Sequence, residues 1–290
     1  MVETPHEITE EVSQNILKGI TIPPQPQLVV DIQMEMASPN TSLNRVAAII
    51  TKDMGLSGSI LKVVNSPFFG LRNKITSIQQ ALSLLGIKNV VNIVNSLSLR
   101  SALSHHSIIE MTKVWDSSMD IAIAASIISK QLKIASADEA YSLGLFHNCG
   151  IPLLMAKFPN YLAVLKQGYA EPEHFITDIE NEHLGCNHAV IGYYVARAWK
   201  LPDHMCTVIA DHHKSEAIFT EKLPCITPAK NLLAILKLAE HCCHTYQSFS
   251  HAKIDYEFER QKHDLFLYLG LSEYDFQDLI GEVAEIGHAS

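Results

Sequence analysis

Apolar residues recur at intervals of three and four through segment after segment of this chain, and no convincing run alternates with the two-residue period of a strand. That periodicity confines the chain to an all-α fold. Over Ser42–Asp53, Leu43, Val46, Ala47 and Ile50 share one face, and Gly55 is expected to break the helix. Ser77 followed by Gln80 has the form of a capping box, so a helix should begin there with Ile78, Ala81, Leu82 and Leu85 inward, and Gly86 suits its stop. A further helix is predicted over 88–103. The run I121-A-I-A-A-S-I-I128 is apolar on nearly every side, which places a helix over 111–132 in the middle of a core. Helices are also predicted at 138–157, 160–169, 173–184, 187–199, 203–213 and 228–247, with Pro202, Pro224 and Pro228 as boundaries. Two amphipathic segments, 259–269 and 273–286, complete the pattern.

With 47% hydrophobic residues over 290 positions, such a chain can bury a sizeable core, and two lobes are expected. The division falls near His105-His106. It gives an amino-terminal extension (1–19), a main domain (20–215) split into lobes at 20–108 and 109–215, and a carboxy-terminal segment (216–290) that completes the second lobe.

Several function classes are disfavoured at once. A formal charge of −9 repels phosphate backbones, so nucleic acid is not an expected partner; Lys62, Arg72 and Lys74 make only a small basic group that reads as a solvated face. The acidic start M1-V-E-T-P-H-E-I-T-E10 is no secretory signal, and no uncharged apolar run reaches membrane-spanning length. A cytoplasmic protein is expected. The six cysteines form no Cys-x-x-Cys pair and read as reduced, mostly buried thiols rather than a zinc site.

One stretch does not fit a plain core helix. In L143-G-L-F-H-N-C-G150, the polar pair His147 and Asn148 sits among apolar residues. Either both side chains hydrogen-bond within the core, or they belong to a site. Cys149 cannot pair with His147 for nucleophilic catalysis, because residues two apart on a helix do not face each other.

The stretches P23-P-Q-P26, N65-S-P-F-F-G70 and I75-T-S-I-Q-Q-A-L-S-L-L-G86 together resemble the amino-terminal half of the HDOD family, a bacterial branch related to the HD phosphohydrolases. W115-D-S-S118, L143-G-L-F-H-N-C-G150, E182-H-L-G-C-N-H-A-V-I-G192 and D211-H-H213 follow in the order of that family. The resemblance covers about 20–240 and implies a two-lobed helical architecture. Phe68 and Phe69 of the aromatic turn either plug into the first lobe or face a partner.

Active HD hydrolases hold one or two ions on histidines and aspartates and use them to activate water against phosphorus. The resemblance places the first His at Ser117, a poor ligand, and the His-Asp doublet at His147-Asn148, where a neutral amide replaces a carboxylate. One unit of charge ~4 Å away is worth ~4 kcal/mol at an effective dielectric of ~20, which Asn cannot supply. Ile151 stands where a phosphate-facing Lys often lies. His188, His212, His213 and Glu240 fall at the later ligand positions, and Asp211 is placed to fix an imidazole tautomer.

The resulting expectation is a non-catalytic signalling or regulatory protein with a degenerate HD site, acting by protein or ligand binding, with a protein partner in a signalling pathway. No cofactor is expected; a retained metal would be divalent Fe, Mn or Zn. The main alternative is a metal-dependent phosphohydrolase or phosphodiesterase using His147, His188, His212, His213 and Glu240. A third is a sensor that keeps the pocket for a nucleotide or cyclic dinucleotide, with Lys157, Lys166 and Arg197 as candidate cations.

Overall fold

The computed structural model describes residues 19–65, 71, 74–103 and 109–287, and all regular structure among them is helical. The chain divides into two compact units: Pro23–Ser107 with Ile280–Ser290, and Met1–Ile22 with Ile108–Leu279. The predicted extension over 1–19, apart from Gly19, the turn residues 66–70, Arg72 and the His105-His106 pair lie outside the described residues.

The smaller unit contains α1 (Gln27–Ala37), α2 (Leu43–Ile50), α3 (Met54–Val64), α4 (Ile78–Leu85) and α5 (Ile87–Leu103). Its core is built from Val46, Ile50, Ile60, Val64, Ile78 and Leu82. The hydroxyls of Ser42 and Ser77 accept from the backbone N–H groups of Arg45 (3.3 Å) and Gln80 (3.2 Å), so both serine caps form. Gln80 reaches back one residue further than a capping box requires, accepting from the Thr76 N–H at 2.9 Å. Gly86 follows α4 with φ +81°. Gly55 does not break a helix: α2 ends at Ile50, and Asp53 caps α3 by accepting from the Leu56 N–H, which puts Gly55 in its first turn. Helices α1 and α3 were not anticipated, since Gly55 and Gly58 mask the second and Pro-rich flanking sequence the first. Asn65, from the aromatic-turn motif, donates to the Ile75 carbonyl and accepts from the Ile75 N–H (2.8 and 2.7 Å), closing the loop between α3 and α4.

The larger unit is organised around α6 (Ile109–Leu132), which packs along α7 (Ala137–Phe146) and α14 (Thr227–Cys242). Ile121, Ala122, Ala124, Ala125 and Ile128 of α6 are buried, as are Leu232 through Ala239 of α14. The remaining elements are α8 (Ile151–Lys157), α9 (Tyr161–Ala170), α10 (Ile176–Leu184), α11 (His188–Ala198), α12 (Asp203–Asp211), α13 (Ser215–Phe219), α15 (Thr245–Ser250), α16 (Tyr256–Leu269) and α17 (Glu273–Gly287), whose residues beyond Leu279 belong to the smaller unit.

Three predicted helices are interrupted. The segment 138–157 turns at His147–Gly150 because Pro152 opens a new helix and Gly150 permits a close approach. At 228–247 the chain leaves the helix where His244 takes φ +51°. At 203–213 it tightens into a single 3-10 turn over His212–Lys214, which turns both imidazoles inward. No helix among the described residues is long and apolar enough to cross a membrane. All six cysteines are free.

Candidate functional site

The turn between α7 and α8 carries His147, the first turn of α11 carries His188, the 3-10 turn carries His212 and His213, and α14 carries Glu240. The fold brings all five into one buried cluster, with each of the four imidazoles 3% exposed or less.

Each ring is fixed through Nδ1. His147 Nδ1 donates to the Gly144 carbonyl (2.7 Å) and His212 Nδ1 to the Ile209 carbonyl (2.8 Å). His188 Nδ1 lies 2.8 and 2.9 Å from the two Glu180 oxygens, and His213 Nδ1 lies 2.7 Å from Glu257 Oε2. Glu180 is held in turn by the His188 N–H and the Tyr161 hydroxyl. Carbonyls and carboxylates only accept, so the Nδ1 atoms carry the protons. Burial pushes His147 down to about 3, and burial with the neighbouring imidazoles and Lys237 pushes His212 and His213 well below the ordinary histidine value. These three rings are therefore neutral near pH 7, and their Nε2 atoms are bare acceptors.

Three Nε2 atoms converge. His188 Nε2 lies 3.3 Å from His212 Nε2 and 3.0 Å from His213 Nε2, and the three ring nitrogens lie within 4.8 Å of one another. Lone pairs at that distance repel unless a proton or a cation lies between them. Ligands ~2.0–2.1 Å from one ion sit about 2.8–3.4 Å apart at right or tetrahedral angles, so the His188–His212 and His188–His213 spacings fit imidazoles that share an ion. Glu180 and Glu257 supply the outer hydrogen bonds that orient such ligands.

His147 and Glu240 stand beside this trio. His147 Nε2 lies 3.5 Å from Glu240 Oε1 and has no hydrogen-bond partner; Asn148, 2% exposed, leaves Oδ1 without one. The expectation that both residues are satisfied within the core thus holds for His147 Nδ1 but not for these two atoms. Between Glu240 and Glu257 sits Lys237, 4% exposed, its Nζ 2.7 Å from Glu240 Oε2 and 2.6 Å from Glu257 Oε1. Burial alone would strip its proton, but the two carboxylates more than offset this and hold the ammonium above its ordinary value. Burial also pushes the Glu240 carboxyl up to about 7, against the pull of Lys237.

Other sequence-based assignments fall elsewhere. Ser117 is partly exposed on α6. Asp211 does not fix a tautomer; Lys214 takes its carboxylate at 2.8 Å. Of the candidate cations, Lys166 is exposed and Arg197 faces Asp203 at 3.6 Å, whereas the cation present in the cluster is Lys237. Cys149 directs its thiol to the Gly192 carbonyl, and burial raises its pKa. Sequence reasoning missed Glu180, Lys237 and Glu257. Glu180 carries a weak local signal, eight residues before His188, but nothing in the sequence marks Glu257.

The space beside the cluster is small. A cavity of about 40 Å³ bordered by Tyr169, His213, Lys237, Glu240, Glu257 and Gln261 has room for a few waters.

Four buried imidazoles, brought together from three separate parts of an all-helical domain and each oriented through Nδ1, make up the site. The chain belongs to the HDOD domain family, whose model matches residues 22–215. It is 28% identical over 200 residues, 66% of its length, to an uncharacterized protein of Treponema pallidum (strain Nichols), and 37% identical over 82 residues, 28% of its length, to the uncharacterized protein YuxH of Bacillus subtilis (strain 168). The chain spans 37% and 20% of those two relatives. Among solved structures it is similar to an HDOD domain protein of unknown function from Geobacter sulfurreducens (TM-score 0.71, 20% identity, 96% of this chain and 95% of that one). It is also similar to a candidate phosphohydrolase from Shewanella amazonensis SB2B (TM-score 0.70, 18% identity, 96% and 94%). A candidate signal transduction protein from Marinobacter aquaeolei VT8 gives a TM-score of 0.67 at 20% identity, over 94% of this chain and 59% of that one. At these identities the likeness is one of fold.

Proposed function

We propose that this chain is a regulatory protein that acts by binding a protein partner, and that its imidazole cluster holds a single divalent ion as an internal cross-link rather than as a catalyst. His188, His212 and His213 would hold the ion through Nε2. A divalent ion on three imidazoles supplies Lewis acidity and can lower the pKa of a bound water. What argues against hydrolysis is the Lys237 ammonium inside the cluster. It engages Glu240 and Glu257, while Glu180 is engaged by His188. Each carboxylate of this group already faces an ammonium or an imidazole, and Asn148 offers only a neutral amide.

The adjoining cavity of about 40 Å³ is far below the ~300 Å³ or more of small-molecule sites, which disfavours the nucleotide-sensor reading. The Marinobacter structure, described as that of a candidate signal transduction protein, lends the regulatory reading its support. The convergent imidazoles are the observation on the side of a hydrolase.

Untagged protein expressed with added iron and manganese is expected to carry about one metal ion per chain by elemental mass spectrometry, lost in His188→Ala, and to leave a model phosphodiester uncleaved. Turnover that disappears with His188→Ala would overturn the non-catalytic reading. Glu257→Gln, which keeps an acceptor but removes the charge behind His213, is expected to weaken the ion's binding ~10–100-fold in a calorimetric titration, with unchanged helical signal. Unaltered affinity would mean that Glu257 serves Lys237 alone.

A further inference from the structure

The charges around Lys237 form one continuous chain. Glu240 faces His147 with one oxygen (3.5 Å) and Lys237 with the other (2.7 Å). Glu257 faces His213 with one oxygen (2.7 Å) and Lys237 with the other (2.6 Å). The ammonium therefore bridges two carboxylates, each of which also faces an imidazole of the cluster. A bridging position between carboxylates beside an imidazole is where a cation belongs, and a lysine is rarely buried for packing alone.

Two potential ligand atoms of the α7–α8 turn are left unused. His147 Nε2 and Asn148 Oδ1 are buried and without hydrogen-bond partners, although both residues are at least nine-tenths buried. One imidazole, two carboxylates and one amide oxygen make a donor set of the kind that suits Mn(II). The trio His188, His212 and His213 is oriented by Glu180, the Ile209 carbonyl and Glu257, so Glu257 is the one residue it shares with that set.

We infer that the Lys237 ammonium is a built-in cation occupying the place of a second metal ion, and that it limits the cluster to one ion. Neutralising Lys237 opens a second divalent site on His147, Glu240 and Glu257, with Asn148 Oδ1 available to it. The inference rests on the one-ion reading above.

Mn(II) alone is the probe, added to the full-length chain after chelation, with bound metal counted by elemental mass spectrometry and the spin state read by electron paramagnetic resonance. The natural chain is expected to bind one Mn(II) with a mononuclear spectrum. Lys237→Met and Lys237→Gln are expected to bind two with a spin-coupled spectrum, and adding His147→Ala to either returns the count to one. A folded Lys237 variant that still binds one ion, or a natural chain that binds two, overturns the inference while leaving the imidazole trio as a metal site. A natural chain that binds none removes the one-ion reading and the inference with it. Should the Lys237 variants be unfolded without metal, because two carboxylates then face each other unpaired, Mn(II) is expected to restore their helical signal. Variants that stay unfolded at saturating Mn(II) count against the inference.

Discussion

Gly150→Ala is expected to leave most of the chain unfolded, or to lower its stability by ~3 kcal/mol or more. A Cβ at this position would lie 2.1 Å from the His188 carbonyl oxygen and 2.9 Å from the Gly192 N–H nitrogen. Both are backbone atoms of α11, so no side chain can swing aside, and the α7–α8 turn must move away from α11 as a whole. Ordinary overpacking costs ~1–3 kcal/mol because neighbours repack. Here they cannot, and the loss is comparable with the ~5–15 kcal/mol that holds a domain together. Urea unfolding followed by circular dichroism measures it. Gly58→Ala is the control: a Cβ there meets nothing within 4 Å, inside α3, and a gain of ~0.5–1 kcal/mol is expected. A Gly150→Ala chain as stable as the natural one would mean that the α7–α8 turn is not seated on α11 as described.

The metal-free chain is expected to lose stability steeply as the pH falls from about 6 to about 4.5. His147, His212 and His213 have folded-state pKa values below the ordinary ~6.5, His147 at about 3, so the unfolded chain takes up three protons that the folded chain refuses. For a depressed pKa, the stabilisation is complete above ~6.5 and declines below it. Glu240 acts in the opposite sense. Its carboxyl, raised to about 7 by burial, is already protonated in the folded chain while the unfolded one waits until ~4.5. Three protons against one leaves a net uptake of about two on unfolding, or ~2.7 kcal/mol per pH unit across that window. Urea midpoints from pH 7.5 to 4.5 in the presence of a chelator test this. A flat profile would mean that the imidazoles are charged in the folded chain.

The parts of this architecture that were legible in the sequence are those set by neighbours in the chain. Ser42 and Ser77 could be recognised as caps because the N–H groups they satisfy are three residues away. The apolar stripe of I121-A-I-A-A-S-I-I128 likewise carries its own burial in its composition. Gly55 misled because a glycine after a helix reads as its end, whereas here Asp53 starts the next one. The histidines could be named from the order of their motifs, but not the direction in which they point. Glu180 and Glu257, which orient His188 and His213, approach from α10 and from the first turn of α16. Lys237 was invisible for the opposite reason: a lysine in an amphipathic helix reads as solvated unless its two carboxylate partners are already known.

The position of α14 has a consequence for how the protein is made. This helix lies against α6 and α7 and brings Lys237 and Glu240 to the histidines, yet it follows the last residue of the family match at 215. The apolar faces of α6 and α7 therefore leave the ribosome well before the helix that covers them. With synthesis at ~5–20 residues per second, the roughly one hundred residues between them take on the order of ten seconds. For that interval the nascent chain presents the longest of its described helices uncovered, a substrate for chaperones.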